Sequence, residues 1–202
     1  MRGFLSFSFF LRHFSLVTFF STVFLALYSN AALAGWYVGV DTTNIRYEIG
    51  YNQGNERYDV NPNRFKIGHL NDEGYGFEFQ VYGNSSDQSI DPFGDNFEVE
   101  LGTSYGLFSQ WSSTNKHHGF YGLAGFAYLD TTYRSVAANI GDTDSFHVIG
   151  LNVGWYYRLA ENLKLTLDYT QLRGNADYPT FITGSHVSPI FSGFGFGLKY
   201  NL

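Results

Sequence analysis

Residues 193–202 read Gly-Phe-Gly-Phe-Gly-Leu-Lys-Tyr-Asn-Leu. Phe194, Phe196, Leu198, Tyr200 and Leu202 occupy every second position, and Gly193, Gly195, Gly197, Lys199 and Asn201 fill the alternate ones. Side chains on a strand alternate between its faces with a period of two. The stretch is therefore a strand with one apolar, aromatic face and one small or polar face. A soluble sheet could hold such a strand once. Repeated along a chain with an export signal, the pattern predicts a barrel with lipid outside and a polar interior.

The export signal is residues 1–34. Arg2 and Arg12 are the only formal charges there, an apolar run spans Phe14 to Tyr28, and Ala32-Leu33-Ala34 closes the segment. A basic start, a short apolar centre and small residues at an A-x-A site are the marks of a secretory signal peptide. Cleavage is expected after Ala34, leaving Gly35 as the new N-terminus. The apolar run is shorter than the ~20 residues that a spanning helix needs. The remaining 168 residues carry 10 Lys and Arg against 18 Asp and Glu, a net charge of −8. That balance argues against nucleic-acid binding, which leans on clustered cations. With no Cys in the chain, no disulfide framework holds it. The length suits one domain, 35–202. Aromatic residues at 20% and 23 glycines suit a β protein, and a mean hydropathy of −0.16 argues against a helical membrane protein.

In chain order, Trp36, Val38, Val40 and Thr42 face outward on a first strand, with Tyr37, Gly39 and Asp41 inward. Ile45, Tyr47, Ile49 and Tyr51 alternate with the opposite parity, which calls for a bulge near Thr43 or a separate extension above the membrane. Residues 52–63 read as an exposed loop. The second strand runs from Arg64 to Leu70, with Phe65 and Ile67 outward and Lys66 and Gly68 inward. After a tight turn at 71–74, the third strand sets Tyr75, Phe77, Phe79 and Val81 against Gly76, Glu78, Gln80 and Tyr82. A polar loop is expected over 84–95. The fourth strand places Phe97, Val99, Leu101, Thr103, Tyr105 and Leu107 outward, and Glu98, Glu100, Gly102, Ser104 and Gly106 inward. The fifth, from Gly119 to Tyr133, is apolar or small on both faces. Tyr121, Leu123, Ala127 and Leu129 are assigned outward because this turns Asp130 and Arg134 inward. The sixth carries Ile149, Leu151, Val153, Trp155 and Tyr157 outward. The seventh carries Leu163, Leu165, Leu167 and Tyr169 outward, with Lys164, Thr166, Asp168 and Thr170 inward. Residues 135–144 and 173–192 read as loops, and the quoted stretch is the eighth strand.

Eight is an even number, as single-chain bacterial outer-membrane barrels require. Connections after the odd strands are long and those after the even strands shorter, which puts both termini in the periplasm. In lipid each unpaired backbone group costs several kcal/mol, so the eighth strand must close on the first. Trp36, Trp111, Tyr133, Trp155 and Tyr200 fit interfacial girdles.

Gly35-Trp36-Tyr37-Val38-Gly39-Val40, together with the final alternation, resembles the small OmpA/OmpX-like outer-membrane β-barrels, the porin-family group. The resemblance implies an all-β fold, an eight-stranded antiparallel transmembrane β-barrel with a cleavable signal peptide, in the outer membrane of a Gram-negative cell. It also implies passage by periplasmic chaperones to the barrel-assembly machinery, which reads the C-terminal strand. That strand usually ends in Phe or Trp; here it ends in Leu202, while Phe194, Phe196, Leu198 and Tyr200 match. No appended peptidoglycan-binding domain is expected.

For chemistry, the expected interior holds Asp41, Lys66, Glu78, Glu98, Glu100, Lys164, Asp168 and Lys199. An eight-stranded barrel is about wide enough for side chains to fill it. Isolated buried charges are costly, so these should pair into a network that plugs the lumen. Lys66 with Glu78, and Lys199 with Asp168 or Asp41, are the expected pairs. A lipid A-modifying hydrolase would need a nucleophile beside a His oriented by a carboxylate. His186 and Ser188 are the candidate pair, in Gly184-Ser185-His186-Val187-Ser188, with no carboxylate placed to orient the His. His117-His118 has no third ligand at a useful spacing for a metal. His69 and His147 fall near strand ends and fit an interface. Function sits disproportionately on loops held by a rigid scaffold. Here those loops carry Tyr58, Phe93, Tyr178, Phe181 and Phe191. They also carry Glu56, Asp59, Asp87, Asp91, Asp95, Asp142, Asp144 and Asp177, which ordinary solubility or cation-bridged lipopolysaccharide would explain. The sequence therefore reads as a non-enzymatic barrel with no cofactor and no metal, in contact with outer-membrane lipid and lipopolysaccharide. A lipid-modifying enzyme and a narrow pore or carrier for small solutes are the alternatives.

Overall fold

The computed structural model describes residues 35–51, 54–90, 96–115, 117–135, 140–174, 178–179, 186–187 and 190–202. The expected cleavage site at Ala32 and Ala34 lies outside them, as do Phe93, Asp91, Asp95, Asp177, Phe181 and Ser188.

Eight staves make a closed antiparallel barrel in up-and-down order. β1 is Trp36–Tyr51; β2 is Gly54–Val60 with Asn63–Leu70; β3 is Tyr75–Tyr82 with Ser85–Ile90; β4 is Asn96–Leu101 with Ser104–Ser112. β5 is His118–Ser135, β6 Ile140–Arg158, β7 Leu163–Gly174 and β8 Ile190–Asn201. A further two-residue ladder joins Tyr178–Pro179 to His186–Val187. Closure is made by β8 along β1, from Tyr37 opposite Asn201 to Glu48 opposite Ile190, and by the Leu202 N–H donating to the Trp36 carbonyl at 2.9 Å.

The register sets the barrel's shape. Stepping sideways from Trp36 through His69, Phe77, Ser109, Ala124, Leu151, Gln171 and Ser192 returns to β1 at Arg46, ten residues further on. A shear of ten over eight strands tilts them about 40° from the axis, given the rise along a strand and the spacing between strands. At the end holding both termini the connections are short. Gly74, at φ 84°, turns the 71–74 connection in a conformation that glycine adopts without steric cost.

The outer surface has two zones. Near the termini it is apolar: Phe65, Phe77, Leu107, Phe126, Ile149, Val153, Leu167, Phe194 and Phe196 are all exposed, Phe126 by 71%. This belt runs about 20 Å along the axis, from the strand rise and tilt. Trp36, Tyr75, Trp111, Tyr157 and Tyr200 stand at its terminal edge, and Trp36 packs edge-on against His69 at 5.4 Å and Phe77 at 5.5 Å. Tyr105, Tyr128 and Tyr169 stand at the other edge, where Tyr128 meets His147 at 5.4 Å. Beyond that edge the outward residues become polar, among them Asn44, Arg46, Asp59, Asn61, Asn84, Thr103 and Gln171.

Four expectations are corrected here. First, β1 has no bulge: its register with β8 is unbroken past Thr43. Ile45 and Tyr47 share the inward face with Tyr37 and Asp41, and what changes is the polarity of the faces. Second, much of the expected loop sequence is strand. Gly54–Val60 pairs with β1, Ser85–Ile90 pairs with Asn96–Leu101, and β6 begins at Ile140. These overhangs turn an apolar face inward, so Tyr58, Val60, Val99, Leu101, Phe146 and Phe191 are buried in the lumen.

Third, β5 has the reverse of the expected parity. Tyr121, Leu123, Ala127 and Leu129 are buried inside, and Phe120 and Phe126 face out. Asp130 is outside, accepting from the Ser145 hydroxyl at 2.7 Å; the Arg134 side chain is outside the described set, as is that of Tyr133. Fourth, Glu98 and Glu100 stand on the outside, since Val99 and Leu101 occupy the lumen. The cause is a bulge in β4. Leu101 opposes Thr131 and Tyr105 opposes Tyr128, so four steps on β4 match three on β5. One extra residue at Gly102–Thr103 reverses the alternation. The Gly102 N–H bonds to the Asp130 carbonyl, and the Asp130 N–H bonds to the Ser104 hydroxyl. β3 makes the same reversal between buried Tyr82 and exposed Asn84.

Candidate functional site

The lumen is filled by two polar clusters beneath an apolar plug. Arg64, on β2, is the centre of the first and fully buried. Its Nε and Nη2 donate to the two oxygens of Asp41 on β1 at 2.9 and 2.7 Å. Nη2 also reaches both oxygens of Asp168 on β7 at 2.7 Å, and Nη1 donates to the Thr170 hydroxyl at 2.9 Å. The Lys66 ammonium bridges the same two carboxylates, 3.1 Å from Asp168 Oδ2 and in direct contact with Asp41. The Tyr121 hydroxyl donates to Asp168 at 2.8 Å, and Asn152 Nδ2 to Thr170 at 2.6 Å.

The second cluster lies nearer the termini. Lys199 on β8 crosses the lumen to Glu78 on β3, Nζ to Oε2 at 2.6 Å. The Tyr37 hydroxyl donates to the same oxygen at 2.7 Å and touches Gln110. Gln80 donates to Glu78 Oε1 at 2.6 Å and accepts from the Tyr82 hydroxyl at 2.7 Å. Lys199 Nζ also sits 4.5 and 4.6 Å from the ring centres of Tyr37 and Tyr121, a favourable cation–π placement.

The pairing differs from expectation. Lys66 pairs with Asp41 and Asp168 instead of Glu78, and Lys199 pairs with Glu78 instead of the aspartates on its neighbouring strands. Inside a narrow barrel a long side chain reaches across the lumen as readily as along the wall. Lys164 joins neither cluster; its Nζ lies 4.9 Å from the Tyr156 ring. Arg64 was missed, although it shares the parity of Lys66 two residues on. Tyr37 and Tyr82 lie on the inward face as expected, and Tyr121 was placed on the wrong one because Tyr suits either face of a barrel wall.

Among the described residues the buried charged ones are Asp41, Arg64, Lys66, Glu78, Asp168 and Lys199, three of each sign. The two clusters together are thus electrically neutral, and every one of these charges is paired. A buried charge is tolerable on this condition.

The inward glycines make room for these side chains. A Cβ on Gly195 would stand 2.7 Å from Arg64 Nη2 and 2.8 Å from Asp168 Oδ1. One on Gly68 would meet the Tyr37 hydroxyl, and one on Gly154 the Tyr121 ring. The glycine face of the last strand is therefore clearance for Arg64, Asp41 and Asp168. Above the clusters, Tyr47 stacks on Phe191 at 4.3 Å and 9°, and Phe146 meets Phe191 at 6.3 Å. A recess at the terminal end, among Tyr37, Gln110, Tyr156, Lys164, Lys199 and Asn201, has a volume of about 10 Å³. That is room for roughly one water.

Among the described residues no three metal-ligating side chains converge. His117 and His118 are exposed at the terminal end. The backbone of His186 lies in the short ladder with Pro179, and its side chain is outside the described set.

The fold and its packed interior define a class: the small eight-stranded barrel of the outer-membrane type. Among solved structures, the chain is similar to Neisserial surface protein A, with a TM-score of 0.59 and 13% identity over 84% of this chain and 98% of that one. It also overlaps Ail, the attachment invasion locus protein of Yersinia pestis, solved with the heparin analogue sucrose octasulfate, at a TM-score of 0.49 and 10% identity over 81% of this chain and 99% of that one. No protein-family model and no curated protein sequence matches the chain.

Proposed function

We propose that this is a non-enzymatic integral protein of the Gram-negative outer membrane, with a lumen closed to solutes and an envelope-structural or surface-interaction role for its overhanging strands and loops. The observation that carries this reading is the pairing of an exposed apolar belt with a filled interior whose two charged clusters balance. A soluble protein would not leave so continuous an apolar surface uncovered, and a pore would leave its lumen open. The short connections at the end of both termini support a periplasmic location for that end.

In this reading the signal peptide is cleaved after Ala34 and periplasmic chaperones deliver the chain. The assembly machinery reads Phe194, Phe196, Leu198, Tyr200 and Leu202, and the belt meets outer-membrane lipid and lipopolysaccharide. Planar-bilayer recording and cell fractionation test the two halves. The refolded protein is expected to give no stable conductance and to sit wholly in the outer-membrane fraction with heat-modifiable gel migration. Stable ion steps would overturn the closed lumen. Recovery from the soluble periplasm would overturn the membrane placement. The hydrolase alternative would need lipid A masses to change when His186→Ala and Ser188→Ala replace wild type in an overexpressing strain; no change is expected.

A further inference from the structure

At the terminal end of the lumen three cations stand side by side. Lys164 on β7 is directly opposite Arg158 on β6 and directly opposite Lys199 on β8. All three occupy inward positions on their strands, and directly opposed residues have Cβ atoms about 5 Å apart. Like charges so placed repel. Only Lys199 is neutralised, by Glu78 from across the lumen. Among the described residues Lys164 has no ion pair, and the Nε of Arg158 is buried with no hydrogen-bond partner. The carboxylates of the turns at this end, Asp72, Glu73 and Glu161, are exposed, and none pairs with these cations.

Lys164 and Lys199 line the recess among Tyr37, Gln110, Tyr156 and Asn201, and Arg158 stands beside it, directly opposite Lys164. Its lining offers the Lys164 ammonium and the hydroxyl of Ser112, with space for one oxygen-sized group. A positive row, an unsatisfied guanidinium donor and a recess of that size are the complement of an oxyanion, one oxygen entering the recess and the rest held at the mouth. Guanidinium and ammonium bonds to such oxygens are among the strong, charge-assisted kind.

We propose that the terminal mouth of the barrel, through Arg158 and Lys164, binds a phosphate group, supplied either by a phospholipid headgroup or by free phosphate. Tyr37, Gln110 and Lys199 of the second cluster form the floor of the site, and phosphate binding there is read without reference to conductance.

The test uses full-length protein purified in zwitterionic detergent, with inorganic phosphate titrated against chloride at constant ionic strength and binding read by calorimetry. Saturable binding is expected. It should weaken at least about tenfold in Arg158→Gln/Lys164→Gln, the loss of two charge-assisted contacts, and persist in Lys164→Arg. Arg173→Gln, an exposed cation at the far end of β7, should bind as wild type does. No saturable binding, or equal affinity in the double variant, would overturn the proposal. Nanodiscs then separate the sources. Added phosphate that binds in phosphatidylcholine discs but is excluded from phosphatidylglycerol discs identifies the headgroup as the occupant. Equal binding in both identifies free phosphate.

Discussion

Arg64→Met is the sharpest perturbation of the lumen. It removes the donors to both oxygens of Asp41, to both oxygens of Asp168 and to Thr170. Lys66 alone would then face two carboxylates, and the neutral clusters would gain a net negative charge. Stripping one partner from a buried ion pair costs about 3–5 kcal/mol, and methionine recovers only some of the lost packing. A loss near 4 kcal/mol lowers the ratio of folded to unfolded protein about a thousandfold. Urea unfolding from lipid vesicles, followed by the fluorescence of the three Trp residues, measures it, with gel mobility as a second probe. Adding Asp168→Asn restores neutrality, because Asp41 and Lys66 remain as a pair. The double variant should be more stable than the sum of the two single losses by about 1–3 kcal/mol, the coupling expected of residues in one network. A loss below about 1 kcal/mol for Arg64→Met, or strict additivity, would refute the idea that Arg64 organises the interior.

Gly195→Ala should cost about 1–3 kcal/mol by overpacking, since the new methyl would crowd the Arg64 guanidinium at 2.7 Å. Gly122→Ala, where the nearest atom would be 3.9 Å away, should stay within about 0.5 kcal/mol; the same unfolding assay compares them. Phe126→Arg should destabilise the vesicle-embedded protein by about 2–4 kcal/mol, the cost of a cation on the lipid face near mid-membrane, whereas Gln171→Arg, above the belt, should be near neutral. If Phe126→Arg were as mild as Gln171→Arg, the parity of β5 would be wrong. Leu202→Phe should leave the fold intact and raise outer-membrane levels on immunoblots, if a terminal aromatic strengthens the assembly signal; lower levels would count against that role for the terminus.

The alternation along β1, β2, β3, β6, β7 and β8 was readable because one face is aromatic or aliphatic and the other small or charged throughout the belt. β5 was not readable by that rule. Tyr121 and Leu123 look as greasy as Phe120 and Phe126, and only the carboxylate of Asp168 waiting for a hydroxyl decides which pair turns in. The reversal in β4 was also hidden. A bulge changes parity without changing composition, and Gly102 is its one local trace. The overhangs were misread because their polar faces point outward to water, which by composition resembles loop. Arg64 was within reach, at the same parity as Lys66, but its partners were not: which charges meet inside the barrel is set by the shear, a property of all eight strands together.

The overhang of β1 has a consequence for reach. From Thr43 to Tyr51 the strand continues nine residues past the apolar belt, which at the barrel's tilt is about 20 Å of height. The overhanging strands therefore form a pedestal with its own greasy interior, rising clear of the bilayer. A soluble partner could engage the upper rim of this pedestal without approaching the lipid surface.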